Sequence, residues 1–218
     1  MPSVKIPKKS TDTDMTPFVD VAFLILSFFM LATKFKPPEL VPIKTPGSVL
    51  SQKLPENNAV MISIDSSDRV FFSVLSEKDL GKYDEIIQGI NSSRGLGLSK
   101  PEMANFRMTY MVGVPFGGLK QLLGTPAADQ KDIRQPGIPV MDSANNELIW
   151  WIAESIKAFA GQELKFLIKG DGQSKYPAFE AVVYALKRNE QFKYNLVAAL
   201  EDVPEGSAYD KVRKEVKK

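Results

Sequence analysis

Asp14–Thr33, DMTPFVDVAFLILSFFMLAT, is the stretch of this 218-residue chain that is built for a solvent other than water. From Phe18 to Ala32 every residue is apolar except Asp20 and Ser27. A membrane-spanning helix needs about 20 predominantly apolar residues. To reach that length before Lys34 and Lys36, the helix has to begin near Met15 or Thr16, which sets the expected span at 16–35. Asp20 then sits about 6 to 8 Å along the axis, at about 1.5 Å rise per residue. An ionised side chain at the centre of a span costs about 2.5 to 3.5 kcal/mol on insertion scales, so a carboxylate there needs a reason.

On a helical wheel Asp20 shares its face with Thr16, Phe23, Leu24 and Ser27. The polar residues form one stripe, which should face protein or water, and ionisable groups placed this way mark ion or proton paths. A blander reading makes Asp20 an interfacial carboxylate near the positive end of the helix dipole. The length argument weighs against it by pushing the residue inward. A cleaved signal peptide also has a basic start and an apolar middle. The internal Asp20, the longer apolar core and the lack of a small-x-small site before Lys34–Pro38 favour a retained helix. Charge does not orient the span: Lys5, Lys8 and Lys9 precede it, and Lys34, Lys36, Lys44 and Lys53 follow within the window that the positive-inside rule counts.

The rest of the composition narrows the chemistry. Net charge is +2, and beyond residue 33 there remain 25 basic against 23 acidic residues, so no nucleic-acid footprint is visible. Cysteine and histidine are both absent, which excludes Ser-His and Cys-His catalysis and the usual metal sites. No metal, no cofactor and no enzyme are expected. Gly95 to Gly97, Gly117-Gly118 and Gly170-Asp171-Gly172 match no phosphate-binding template and read as turns.

In chain order, residues 1–15 form a short polar tail and 36–58 a proline-rich spacer containing Pro37, Pro38, Pro42, Pro46 and Pro55. Within the spacer, Glu39–Pro46 has a strand-like core. From Val60 the pattern has period two: Val60, Ile62 and Ile64 alternate with Met61, Ser63 and Asp65, and a Ser66-Ser67-Asp68 turn leads to Val70–Val74, predicting a hairpin. Leu164–Lys169 reads as a buried strand, Tyr176–Asn189 as a helix with Phe179, Val182, Val183 and Leu186 on one face, and Tyr194–Leu200 as a last strand. A helix over Asn145–Phe159 covers the same sheet with Leu148, Ile152, Ile156 and Phe159, and Trp150 and Trp151 read as buried. The region 76–143 is an insertion. It holds a helix near Lys78–Asn91, a second helix opened by the capping signal Ser99-Lys100-Pro101-Glu102, and a loop over Asp129–Pro139. Met103, Met108 and Met111 with Phe106 and Tyr110 read as the apolar side of the added helix, with an adaptable contact surface as the alternative. Residues 204–218 are a charged tail.

The run Asp14–Met30, DMTPFVDVAFLILSFFM, resembles the signature of the ExbD/TolR family of inner-membrane energy-transducing proteins. Thr16 and Pro17 match that family's Thr-Pro pair, and Asp20 matches its proton-carrying aspartate. Phe166–Leu200 is similar to the C-terminal half of the family's periplasmic domain, although the pattern is common among small α/β modules. The resemblance implies a single N-terminal transmembrane helix plus an α/β (α+β) periplasmic domain over 59–203, with a small mixed sheet and helices packed on it. It implies a cytoplasmic N-terminus, and a proton-motive-force-driven transducer in a TonB-type or Tol-type motor. The implied partners are an ExbB-like or TolQ-like membrane ring, a TonB-like protein, a second copy of the chain in a homodimer, and peptidoglycan as a further possibility. Thr16, Pro17 and Ser27 are then the channel face, and Leu40, Val41 and Ile43 the candidate partner-binding residues. The resemblance does not separate an ExbD-like from a TolR-like role.

Three other readings share parts of this pattern: a passive bitopic adaptor that binds peptidoglycan, a flagellar stator subunit, and a soluble secreted enzyme. The stator lacks a recognisable larger peptidoglycan-binding domain here. The adaptor needs the span but not its carboxylate, so full activity of an Asp20→Leu chain in cells favours the adaptor, and loss of activity favours the proton carrier.

Overall fold

The computed structural model describes residues 15–32, 41–48, 54–55 and 57–200, in two units, Met1–Pro38 and Glu39–Lys218. Unit one contains helix α1, Thr16–Ala32, whose 17 residues extend about 25 Å at about 1.5 Å per residue. Among the described residues, no helix is long and apolar enough to cross a membrane. Residues 33–35 of the expected span, 1–14 of the expected tail 1–15, and the expected tail 204–218 lie outside the described residues.

Unit two is built on the period-two stretch. Strands β2 (Ala59–Ile64) and β3 (Val70–Leu75) pair antiparallel with Ile62 opposite Phe72. Their turn is closed by Asp65, whose Oδ1 accepts the N–H groups of Ser67 and Arg69, both at 2.9 Å. Asp65 is only 2% exposed, and a buried carboxylate needs a partner. Arg69 supplies it through Nε at 2.7 Å and Nη2 at 2.5 Å, and donates through Nη1 to the Gln135 carbonyl at 3.1 Å. Strand β4 (Lys165–Gly170) lies parallel to β2, and β5 (Asn195–Val197) parallel to β4, giving the mixed order β3-β2-β4-β5.

Helices α2 (Gly81–Arg94), α5 (Leu148–Ala158) and α6 (Tyr176–Arg188) share one apolar core with the sheet. Ile86, Ile87, Ile90, Leu148, Ile152, Val182 and Leu186 are fully buried against Val60, Ile62 and Ile64. Each such side chain contributes about 1.5 to 3 kcal/mol as an upper bound. Between β3 and α5 the insertion, which also contains α2, adds α3 (Lys100–Asn105) and α4 (Phe116–Gly124), each followed by a short 3-10 turn further along the chain. The expected capping box is present: the Ser99 N–H donates to Glu102 at 2.7 Å. The insertion also covers the outer edge of β3. Phe72 and Val112 exchange both backbone hydrogen bonds at 2.8 Å, and the Ile138 N–H donates to the Val70 carbonyl at 2.8 Å.

Four sequence expectations change. Gly117 and Gly118 are not a turn but lie inside α4, where Leu119, Leu122 and Leu123 form a buried stripe that outweighs glycine's poor helix propensity. Trp150 is 40% exposed while Trp151 is fully buried, because neighbouring helix positions point about 100° apart and one core cannot take both. The methionine stretch is not one helix side: α3 ends at Asn105, Phe106 is buried, and Met108 and Tyr110 stand exposed beyond it. The last strand breaks at Ala198, so that β6 (Ala199–Leu200) pairs in parallel with β1 (Gly47–Ser48).

Gly113 faces the Phe71 ring so closely that a Cβ lands on it, whereas a Cβ at Gly117 meets nothing within 4 Å. Gly113→Ala is therefore expected to destabilise the full chain by about 1 to 3 kcal/mol. Gly117→Ala, being helical, should stabilise it by about 0.4 to 1 kcal/mol. Denaturant titration followed by tryptophan fluorescence measures both.

Candidate functional site

On α1 the apolar side chains are uncovered on all sides: no residue is buried, and Phe18, Phe23, Leu24, Phe28, Met30 and Leu31 are all exposed. A helix that is apolar all round belongs in lipid or in a protein core. Its first turn is set by the Met15 carbonyl, which accepts the N–H groups of Phe18 at 3.1 Å and Val19 at 3.0 Å. Pro17 falls in that turn, where its missing N–H has no helical partner to lose. Met15, Thr16, Val19, Asp20 and Phe23 border one shallow depression, which places Thr16 and Asp20 on a common face as the wheel required. Ser27 donates its hydroxyl to the Leu24 carbonyl at 2.9 Å. Its polarity is thus satisfied inside the helix and adds little cost in an apolar setting. Asp20 is the only ionisable side chain of α1.

In unit two, Leu40 lies outside the described residues, Val41 is half-buried and Ile43 is buried at 9% exposure. The backbone beside Ile43 is fixed as well. The Lys44 N–H donates to Oδ2 of Asp171 at 2.8 Å, and the Lys44 carbonyl accepts the Gly172 N–H at 2.9 Å. Oδ1 of Asp171 accepts the Gln173 N–H at 2.9 Å. These two N–H groups, Gln173's first and Lys44's second, hold the Asp171 carboxyl below the usual carboxylate range. The sequence marks Asp171 only as a turn residue between two glycines. Its partner is 127 positions away, so no local signal points to it.

A second carboxylate missed from the sequence organises the insertion. Helix α4 has no side-chain cap of its own, and Oε2 of Glu147 accepts the Phe116 N–H at 2.8 Å in that role. Burial pushes the Glu147 carboxyl up, while the hydrogen bond from Phe116 and the charge of Arg94 pull it part of the way back. Arg94 lies over the rings of Trp150 at 4.8 Å and Phe116 at 5.4 Å, joining the end of α2 to α4 and α5. Among the described residues, no group of three or more Asp, Glu, His or Cys is placed to hold a metal ion.

An apolar helix with one carboxylate and a small mixed α/β domain define the class of architecture. A profile described as "Biopolymer transport protein ExbD/TolR" matches residues 7–201, and the chain belongs to the ExbD/TolR family. Neither the curated proteins nor the solved structures include a match to this chain. Family membership supports a role in biopolymer transport or energy transduction, and members are non-catalytic, transport-associated components. The family is typically bitopic in the inner membrane and implies association with ExbB/TolQ-type and TonB/TolA partners.

Because the folded state holds the Glu147 pKa above the ordinary value of 4.5, it binds the proton more readily than the unfolded chain does. The contribution to stability is therefore complete below about pH 4.5 and is lost as pH rises through the higher folded value. Glu147→Gln keeps an acceptor for Phe116 and removes the titration. Its unfolding midpoint is expected to equal that of the wild type at low pH and to exceed it near neutrality, as read from denaturation at a series of pH values.

Proposed function

We propose that the chain is the ExbD-like subunit of an ExbB-ExbD-TonB-type motor and that Asp20 carries its protons. The observation that carries the reading is one carboxylate on a helix whose other faces are uncovered and apolar, inside the region that matches the family. Under this reading the expected span, 16–35, crosses the inner membrane. The N-terminus is cytoplasmic and unit two is periplasmic.

The physics of the cycle follows from charge. The ionised carboxylate is the costly species inside a span, at about 2.5 to 3.5 kcal/mol, and the neutral acid is the form that moves past lipid. A ring of ExbB-type helices supplies the polar lining that accepts the charged form. Protonation from the periplasmic side and release toward the cytoplasm draws on a transmembrane potential of about 2.3 kcal/mol per charge per 100 mV. Thr16 lies one turn before Asp20 on the same face, and Pro17 fixes the start of the helix below it. Alternate neutralisation and charging moves α1 against the ring, and unit two transmits the movement to a TonB-like partner. A TolR-like role uses the same cycle with a Tol-type ring and partner.

Asp20→Asn keeps the shape and removes the carboxyl group that would carry the proton. It is expected to eliminate proton-motive-force-dependent uptake of an iron chelate in cells while the chain still accumulates in the membrane fraction. Uptake equal to that of the wild type sinks the proposal.

A further inference from the structure

Val41–Ser48 is held to the rest of unit two by a few identifiable contacts. Ile43 is buried, the Lys44 backbone bonds to Asp171 and Gly172, and the Pro46 carbonyl accepts the Ala199 N–H at 3.0 Å. The β1–β6 pairing spans only two residues on each strand, Gly47 with Ala199 and Ser48 with Leu200, well short of an ordinary strand. Lys44, Pro46 and Gly47 are exposed, so the grip comes mainly from Ile43 and from Asp171. Asp171 is a rigid post for this purpose. It follows β4 directly, its own N–H donates to the Ile64 carbonyl at 2.9 Å, and its carbonyl accepts the Ser174 N–H at 3.0 Å.

We propose that Val41–Ser48 is a latch with Asp171 as its positioning residue, and that its opening lengthens the tether of the domain. The proposal rests on the reading of α1 as a membrane anchor. With the latch closed, the chain is held to the domain at Ile43 and Lys44. With it open, the first residue fixed in the sheet is Ala59, the start of β2. The 16 residues gained add about 50 Å of extended chain at about 3.3 Å per residue. Tension arriving from the N-terminal side reaches Ile43 and Lys44 before any strand of the central sheet. These contacts yield first because they are few and lie at the end of the sheet, whereas β2 is paired along its whole length on both sides. Opening also withdraws Val41 and Pro42 from the 230 Å³ cleft that they share with Arg69, Phe71 and Arg134.

The chain has no cysteine, so a Gly47→Cys/Ala199→Cys pair, opposed in the β1–β6 register, closes the latch covalently on oxidation. In cells carrying the full chain, oxidation of this pair is expected to reduce proton-driven uptake by at least about tenfold, and reductant should restore it, with each single variant active. Hydrogen exchange gives an independent readout. Asp171→Ala should speed exchange of the Lys44 amide by about tenfold while Ile62 and Ile168 are unchanged, and Asp171→Asn should restore part of the protection. Full activity of the oxidised pair, failure of the pair to oxidise, or a Lys44 amide indifferent to Asp171→Ala overturns the latch. If Asp171→Ala does not fold, the cysteine pair decides. The exchange measurement does not involve Asp20, so normal uptake by Asp20→Asn with the predicted exchange pattern overturns the proton reading and leaves the latch standing.

Discussion

The indole of Trp151 stacks on Phe72 of β3 with ring centroids 4.9 Å apart, on Phe106 at 5.8 Å, and lies 5.9 Å from Phe116 of α4. One side chain on α5 therefore touches the sheet and both halves of the insertion. Aromatic pairs of this kind add about 0.5 to 1.5 kcal/mol each beyond the area they bury. The arrangement leaves the indole nitrogen buried without a hydrogen-bond partner, a cost of about 1 to 3 kcal/mol. Packing on three rings outweighs that cost, and Tyr83 extends the cluster by meeting Phe106 edge-on at 5.9 Å while its hydroxyl donates to the Val74 carbonyl at 2.8 Å.

Once Trp151 fixes the insertion against the sheet, the backbone of β3 is completed from outside. An uncovered strand edge offers unpaired N–H and C=O groups to any passing chain. Val112 and Ile138 take up those groups on β3, and the approach is possible because Gly113 presents no side chain to Phe71. The Gly113 N–H is itself held by Oε1 of Gln135 at 2.5 Å. The same loop returns a carbonyl to Arg69, which neutralises Asp65 at the hairpin turn. Insertion, hairpin turn and sheet edge are one hydrogen-bonded assembly, so the insertion is a structural part of this domain.

Glu147 and Asp171 in unit two act as fixed acceptors for backbone N–H groups that their own elements do not satisfy. Glu147 caps α4 from the start of α5, and Asp171 holds the backbone of Lys44 from the end of β4. Asp20 on α1 differs in kind, because it sits alone on an apolar helix where a charge has its greatest energetic consequence. Family membership places all three residues within one matched region, 7–201.

Whatever depends on a short repeat is legible in the residues alone. Period two gave β2 and β3, a buried run closed by Gly170-Asp171-Gly172 gave β4, and period 3.6 gave α5 and α6. The common face of Thr16 and Asp20 followed from the same helical spacing. Tertiary structure decided the rest. Glycines 117 and 118 concealed α4, which forms because Glu147, 31 positions on, accepts its first N–H group and the core takes up its leucines. Only packing chose Trp151 over Trp150 for the interior. Periodicity reports which face of an element is apolar, a property of neighbours in the chain. Which distant backbone group meets which carboxylate, as Lys44 meets Asp171, depends on how those faces stack and is not encoded in any local window.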